Sequence, residues 1–323
     1  MNQLHTSFRL RMAAFALSTL ALSTLALSTS LAATGQAIAA SSATASKSSA
    51  PFTRFSVQVE GPSVGVALNV LLIPGLGSSR AVYSAEAELL IPSFRLHLIQ
   101  IAGFAGEPAG PNADGAILGP VVEELHRYIA QTHLRHPAVI GHSLGGLLAL
   151  MLAAAHPDDV GSLLIIDALP FYGLIFSPTA TVEMVRPQGQ QMRDSLLAQP
   201  ADQFAAGQQM MVSRLAASLE GQKAVVADSI ASDRTVFANA FLEDLTTDLR
   251  PRMASIKTPV TVLYPWSAAE GSKAEVDSLY QGAFAAMPQA RLIRIEGSSH
   301  FIMFDQPAAF HQAVKAFLSE TGN

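Results

Sequence analysis

Short apolar runs bounded by turn residues alternate with helix-like segments along most of the chain. Six of these runs are the clearest strand candidates, and most of them are continuously apolar, as expected for strands covered on both faces of a parallel sheet. A further run, FSVQVE at residues 55–60, alternates apolar and polar positions and predicts an edge strand. The six strand candidates are residues 68–73, 95–101, 137–141, 162–167, 259–264 and 290–296. This alternation predicts an α/β fold, a mostly parallel central sheet with helices on both faces.

Helical patterns fall between the predicted strands. Residues 118–133 and 306–319 are amphipathic, whereas residues 144–155 (LGGLLALMLAAA) are apolar on every side and predict a buried helix. From Pro170 to about Arg250 the strand patterns stop, and helical periodicity rich in Met, Phe, Gln and Ala replaces them. We interpret this stretch as a helical cap inserted over the carboxyl edge of the sheet, with ordinary packing helices as the alternative.

The beginning of the chain has a different composition. Two arginines and no acid precede residues 12–33, in which ALSTL recurs, and small residues then lead to Ala39. This pattern predicts a secretory signal peptide over residues 1–39. An uncleaved membrane anchor is the alternative, because about 20 apolar residues span a bilayer. We interpret residues 40–53 as a flexible Ser/Ala/Thr linker and residues 54–323 as the folded domain.

Composition narrows the functional classes. The 323 residues are 50% hydrophobic and 14% charged, with a net charge of −5 and no cysteine. Acids outnumber bases, which argues against a nucleic-acid-binding protein. The lack of cysteine excludes disulfides, thiolate metal sites and a cysteine nucleophile. No segment after the predicted signal peptide offers 18 uninterrupted apolar residues, so we expect a mature protein that is exported, periplasmic or secreted, and not inserted stably in a membrane.

The strongest chemical motif is the string Gly141-His142-Ser143-Leu144-Gly145. It fits G-x-S-x-G, lies between a predicted strand and the buried helix, and therefore predicts a nucleophile elbow. Small residues on both sides allow a sharp turn to close, so that the hydroxyl of Ser143 projects outward. A glycine-rich turn without catalysis is the alternative.

In this context the string GHSLGG resembles the elbow of α/β-hydrolases of the lipase and esterase type. The resemblance covers residues 55–320. It implies the α/β-hydrolase fold, a serine–acid–histidine triad in that chain order, an oxyanion hole and no cofactor.

His300 is the candidate general base. A serine hydroxyl is a weak nucleophile until a neighbouring base accepts its proton. The segment GSSHF, which contains His300, directly follows the last predicted strand. This is where the resemblance places the family's histidine.

The other histidines have structural interpretations. His142 adjoins the nucleophile, and we expect its ring to point elsewhere. His126, His133 and His136 are close in sequence, but no carboxylate accompanies them at ligand spacing. We therefore predict solvated surface residues there and no metal site.

The triad acid is the least defined element. After the strand at 259–264, Ser and Ala occupy the positions where the resemblance places an aspartate. Asp167 is the first candidate, because some branches of the family, including haloalkane dehalogenases, carry the acid after the strand that follows the elbow helix. Glu270 is the alternative within the usual loop, and Asp277 or no acid is a further one.

Two backbone amides are expected to form the oxyanion hole. One belongs to Leu144, the residue after the nucleophile. The other is assigned to Leu76 in the loop IPGLGSS, which resembles the family's H-G-x loop with Pro74 in place of histidine. Phosphate binding by this glycine-rich loop is disfavoured, because the GK[ST] ending is absent.

Together these features predict an exported, cofactor-free serine hydrolase that cleaves an ester-like bond in a small molecule. The Met and Phe content of the cap favours an apolar acyl or alcohol group. Amide, lactone or carbon–carbon bond hydrolysis on the same fold is an alternative. A non-catalytic binding protein with a hydrolase fold is another.

Overall fold

The predicted strands form one sheet of seven in the computed structural model, which describes residues 52–62, 67–269 and 271–321. The predicted signal peptide, nearly all of the predicted linker, and Glu270 lie outside the described residues. The strands are β1 (Phe55–Glu60), β2 (Asn69–Ile73), β3 (Arg95–Ile101), β4 (Ala138–His142), β5 (Ser162–Ile166), β6 (Val260–Trp266) and β7 (Arg291–Glu296).

Strand order in the sheet is β1-β3-β2-β4-β5-β6-β7. The edge strand β1 runs antiparallel to β3, and the other neighbours are parallel. The mostly parallel sheet and the edge position of FSVQVE are thus confirmed.

Eleven α-helices occur in the described ranges, together with short 3-10 helices at Arg80–Tyr83, Gly110–Ala113 and Tyr172–Ile175. The α-helices are α1 (Ser84–Leu90), α2 (Leu118–Gln131), α3 (Leu144–Ala155), α4 (Val182–Ala198), α5 (Ala201–Leu215), α6 (Leu219–Ala231), α7 (Arg234–Thr246), α8 (Arg250–Met253), α9 (Lys273–Ala283), α10 (Ile302–Asp305) and α11 (Pro307–Thr321). Within the part of the chain that the structure describes, no helix combines the length and apolarity needed to cross a bilayer.

Both faces of the sheet are covered because successive strand residues point to opposite sides. Leu71 and Ile73 pack into a cluster with α2, α3 and α9, whereas Val70 and Leu72 pack into a second cluster with α1 and α11. All four are completely buried, and each contributes roughly 1.5–3 kcal/mol through removal of its side chain from water. This explains why the central strands are continuously apolar.

Five α-helices, α4 to α8, separate β5 from β6, and the first four of them, α4 to α7, are called the cap here. Three of these cap helices begin at a residue whose side chain accepts a hydrogen bond from an amide of the first turn. These residues are Thr181 for α4, Ser218 for α6 and Asp233 for α7. The cap has an apolar cluster of its own that includes Phe204 and Phe241. Helices α4, α5 and α7 share this cluster, whereas Val225 of α6 packs into a cluster of the sheet.

The order of the strands also determines where a crevice forms at the edge of the sheet. The chain runs from β2 to β3 on one side and then returns to β4 on the other side of β2. The connections after β2 and β4 consequently diverge, which opens a crevice at the carboxyl ends of these strands. The loop containing Leu76 and the turn containing Ser143 both lie there.

Candidate active site

Ser143 lies in a strained turn between β4 and α3. Its φ of +53° and ψ of −123° fall in a region that L-residues rarely adopt, and such strain costs about 1–3 kcal/mol. Neighbouring glycines make the turn possible. A Cβ atom on Gly145 would lie 2.2 Å from the carbonyl oxygen of Ile73, and one on Gly141 would lie 2.3 Å from the carbonyl oxygen of Gly145. The turn presents Ser143 to a cavity that His300 also lines.

His300 is paired with Asp167. The imidazole Nδ1 lies 2.5 Å from Asp167 Oδ2, and the hydroxyl of Tyr280 donates to Asp167 Oδ1. Asp167 directly follows β5 with a φ of +45°, and its amide donates to the carbonyl of Leu263 at 2.8 Å. An ionised carboxylate at Nδ1 favours the tautomer with the proton on Nδ1, which leaves Nε2 free to accept a proton.

The alternative acid Asp277 has a different set of partners. Asp277 lies on α9, where its Oδ2 is 2.5 Å from Arg294 Nη1 and its Oδ1 accepts a hydrogen bond from the Tyr264 hydroxyl at 2.8 Å. The hydrogen bonds from Arg294 hold the pKa of Asp277 below its ordinary value. Of the two candidate aspartates, the structure thus brings Asp167 to His300 and pairs Asp277 with an arginine.

His142 differs from its expected orientation. Its buried ring packs against that of His300, with centroids 4.5 Å apart, and its Nε2 lies 3.1 Å from the His300 carbonyl oxygen. Burial, followed by the charge of nearby His300, holds the pKa of His142 well below its ordinary value. A neutral His142 therefore donates its Nε2 proton to that carbonyl and positions the histidine loop, a contact that the motif alone did not predict.

The loop after β2 passes directly beside the nucleophile. A Cβ atom on Gly75 would lie 3.0 Å from Ser143 Cβ, so the absence of a side chain there permits the close approach. Leu76 follows in the wall of the same cavity. Leu144 begins α3, and first-turn amides of a helix have no intrahelical acceptor. Both predicted oxyanion donors thus belong to backbone segments beside Ser143.

Two carboxylates that no sequence motif marks attach the cap to these loops. Asp228 of α6 accepts hydrogen bonds from the amide and hydroxyl of Ser79 at 2.8 and 2.7 Å. Asp305 accepts from the amide of Ser299 at 2.8 Å and from the two amides that precede α6 at 2.8 and 2.9 Å. Both join residues that are far apart in the chain, so sequence spacing carried no sign of them.

The cavity beside Ser143 encloses about 540 Å³, part of which is open to solvent. Apolar side chains of the cap form part of its wall, namely Met211, Leu215, Val225 and Phe237. Polar side chains also line this region, among them Ser143, Tyr172, Asp244 and His300. Apolar walls with a few polar groups beside the nucleophile fit a small organic molecule.

A family model described as the alpha/beta hydrolase family matches residues 70–313, a range that includes Ser143, Asp167 and His300. The chain belongs to the alpha/beta hydrolase family. It is accordingly an enzyme of the hydrolase class, as its relatives are.

Individual relatives share a low sequence identity with this alpha/beta hydrolase. The chain is 24% identical over 264 residues to the pimeloyl-[acyl-carrier protein] methyl ester esterase of Yersinia enterocolitica, covering 78% of this chain and 94% of that one. It is 27% identical over 262 residues to the putative carbamate hydrolase RutD of Cronobacter turicensis, covering 77% and 90%. A thermophilic esterase from Thermogutta terrifontis shares the fold, with a TM-score of 0.68, 18% identity, and coverage of 83% and 94%.

Asp244 adds an unexpected acid to the lining of the cavity of this alpha/beta hydrolase. It lies on α7 and lines the same two adjoining cavities as His300. Burial raises the pKa of Asp244 to about 7, and the charge of His300 opposes this rise. The group is therefore expected to change from neutral to anionic near neutral pH. No motif marks Asp244, because its effect depends only on what the folded chain places around it.

Asp244→Asn is expected to flatten the pH dependence of stability. In the wild type the pKa of Asp244 is higher in the folded state than in the unfolded state, so the folded protein binds the carboxyl proton more tightly. The free energy of unfolding then falls as pH rises from about 4 to about 7. Between pH 5 and pH 8 this loss amounts to at most about 3 kcal/mol, and the variant lacks it. Urea denaturation at both pH values measures the difference.

The matched control is Asp202→Asn, which removes an exposed acid from cap helix α5. It should leave the pH dependence of unfolding as in the wild type. Equal pH dependence of the wild type and Asp244→Asn would contradict the raised pKa.

Proposed function

We propose that this alpha/beta hydrolase is an exported serine hydrolase that cleaves an ester-like bond in a small molecule through an acyl-enzyme. One observation carries the proposal: the Asp167–His300 pair shares a cavity with a serine held in a strained turn. That combination supports nucleophilic catalysis, because it supplies a nucleophile, a base and a group that orients the base.

In the proposed mechanism, Ser143 Oγ attacks the substrate carbonyl carbon while His300 Nε2 takes the hydroxyl proton. Asp167 stabilises the resulting imidazolium and keeps its ring oriented. The carbonyl oxygen becomes an oxyanion that accepts hydrogen bonds from the amides of Leu76 and Leu144. Each donor of this kind contributes about 10²–10³-fold to kcat in acyl transfer.

The tetrahedral intermediate then collapses and breaks the bond to the leaving alcohol, which receives the proton from His300. Water enters as the second nucleophile and gives a proton to His300 Nε2. A second tetrahedral intermediate releases the carboxylic acid, and Ser143 recovers its proton. The cycle leaves the enzyme unchanged and consumes one water for each bond cleaved.

The proposed substrate is an ester with an apolar group. Met211, Leu215 and Val225 from the cap support this assignment, because methionine and aliphatic side chains adapt to apolar ligands. The methyl ester esterase relative supports ester chemistry, and the carbamate hydrolase relative makes an amide-like bond the comparison to test.

A panel of matched p-nitrophenyl esters and p-nitroanilides tests the proposal. We expect kcat/KM for esters to exceed that for the corresponding anilides by at least about 10²-fold and to rise with acyl chains longer than acetyl. A preference for anilides or lactones would overturn ester specificity. Failure to turn over any member, with no reaction at Ser143, would support a binding protein instead.

Export is tested by expressing the full chain in a bacterial host that has a periplasm. We expect the exported protein to begin near Ala40 when its intact mass is measured. The proposal fails if the protein retains Met1 and remains in the membrane fraction. That result would favour the N-terminal anchor and leave the hydrolase assignment untouched.

A further inference from the structure

A cluster of four metal-ligating side chains lies on the surface where α2 and α3 pack together. His126 Nδ1 is 2.7 Å from Asp159 Oδ2, and His156 Nε2 is 3.0 Å from Glu123 Oε1. The two imidazole rings stack with centroids 3.9 Å apart and an angle of 7° between their planes. The sequence predicts solvated surface residues and no metal site for His126, His133 and His136. The folded chain gives His126 different neighbours, including a carboxylate.

Regular backbone structure holds these side chains in place. Glu123 and His126 are three residues apart on α2 and therefore occupy one helix face. His156 and Asp159 are three residues apart in the turn after α3, which is closed by a hydrogen bond from the Asp159 amide to the His156 carbonyl at 3.1 Å. The site therefore combines two residues from α2 with two residues from the turn after α3.

The donor set indicates the class of cation. One donor atom each from His126, His156 and Asp159 can be chosen so that all lie within 4.8 Å of one another. Two imidazoles with a carboxylate suit borderline transition metals such as Zn²⁺, whereas Ca²⁺ and Mg²⁺ take oxygen ligands. Glu123 contacts His156 and would orient its ring, as carboxylates commonly do for histidines that bind a metal.

A modest rearrangement brings the donors to metal distance. Tetrahedral Zn²⁺, with bonds of about 2.0–2.1 Å, places its ligand atoms about 3.4 Å apart. The rings are stacked, so one must turn until its in-plane lone pair points at the ion. The His126 side chain is 37% exposed and that of His156 21%, so the protein core does not lock these rings.

We propose that His126, His156 and Asp159, oriented with Glu123, form a surface site for a divalent transition-metal cation of the Zn²⁺ class. The bound ion would join α2 to the carboxyl end of α3. Ser143 precedes the amino end of α3, and a helix of 12 residues is about 18 Å long. The site is therefore structural, and it is independent of the reaction proposed at Ser143.

Calorimetric titration of the metal-free protein with ZnCl₂ tests the site. We expect about one ion per chain with a Kd in the micromolar range. At a free Zn²⁺ concentration of about 100 times Kd, the melting temperature should rise by roughly 5 °C. His126→Gln and His156→Gln should each weaken binding at least tenfold.

His311→Gln is the matched control, because His311 pairs with the carboxylate of Glu86 at 3.1 Å, whereas the ring of His126 stacks on that of His156. It should leave Zn²⁺ affinity unchanged. In the wild type, Zn²⁺ should also shift the imidazole resonances of His126 and His156 but not those of His311, a readout that needs no variant.

The proposal is overturned if the protein binds no stoichiometric Zn²⁺. It is equally overturned if the imidazole resonances of His126 and His156 do not respond. Loss of binding in His311→Gln at the same level as in His126→Gln would also overturn it.

Discussion

Ser143→Ala is expected to lower kcat for a p-nitrophenyl ester by at least about 10⁴-fold, because it removes the atom that forms the acyl-enzyme. The oxyanion donors and the cavity remain, so weak turnover above the uncatalysed rate is expected to persist. The backbone keeps its φ of +53°, since alanine differs from serine only by the hydroxyl. Steady-state kinetics gives kcat, and circular dichroism establishes that the variant is folded.

Ser229→Ala is the matched control for this variant. Ser229 lies in α6, is buried and contributes to the same cavity wall. Its loss should change kcat less than tenfold, because the proposed mechanism gives its hydroxyl no role. Retention of more than a tenth of wild-type kcat in Ser143→Ala would contradict the assignment of the nucleophile.

Asp167→Asn is expected to lower kcat by about 10³–10⁴-fold. The side-chain amide can donate to His300 Nδ1, which would leave the proton on Nε2, where the mechanism requires an acceptor. An uncharged partner also no longer stabilises the imidazolium. The variant retains an oxygen that can accept the Tyr280 hydroxyl, so its free energy of unfolding should change far less than its kcat.

Asp277→Asn and Glu270→Gln are the controls for the acid. Asp277→Asn weakens the partly exposed ion pair with Arg294 and should keep kcat within tenfold of the wild type, because Asp277 pairs with Arg294 and Tyr264. Glu270→Gln should do the same. If Glu270→Gln loses as much kcat as Asp167→Asn is expected to lose, the acid is Glu270 and the mechanism must be revised.

Local sequence pattern was sufficient to predict those features that a single strand or turn determines. The central strands are continuously apolar because both faces of the sheet are covered, and so their positions could be predicted. The turn at Ser143 could also be predicted, because the glycines that permit it are within two residues of the serine.

Local sequence pattern could not identify which carboxylate pairs with His300. Asp167 and His300 are 133 positions apart, and their contact depends on β5 and the loop after β7 ending at the same edge of the sheet. His142, Asp228 and Asp305 act through similarly distant backbone groups. The partners of His126 were missed for the same reason, since His156 and Asp159 follow a different helix.

Reaction with a fluorophosphonate, followed by peptide mapping in a mass spectrometer, tests the central claim that Ser143 is an activated nucleophile. We expect one phosphonyl group per chain, located on the peptide that contains Ser143, and no labelling of Ser143→Ala. Labelling of a different residue, or an unlabelled wild type that still hydrolyses esters, would contradict it.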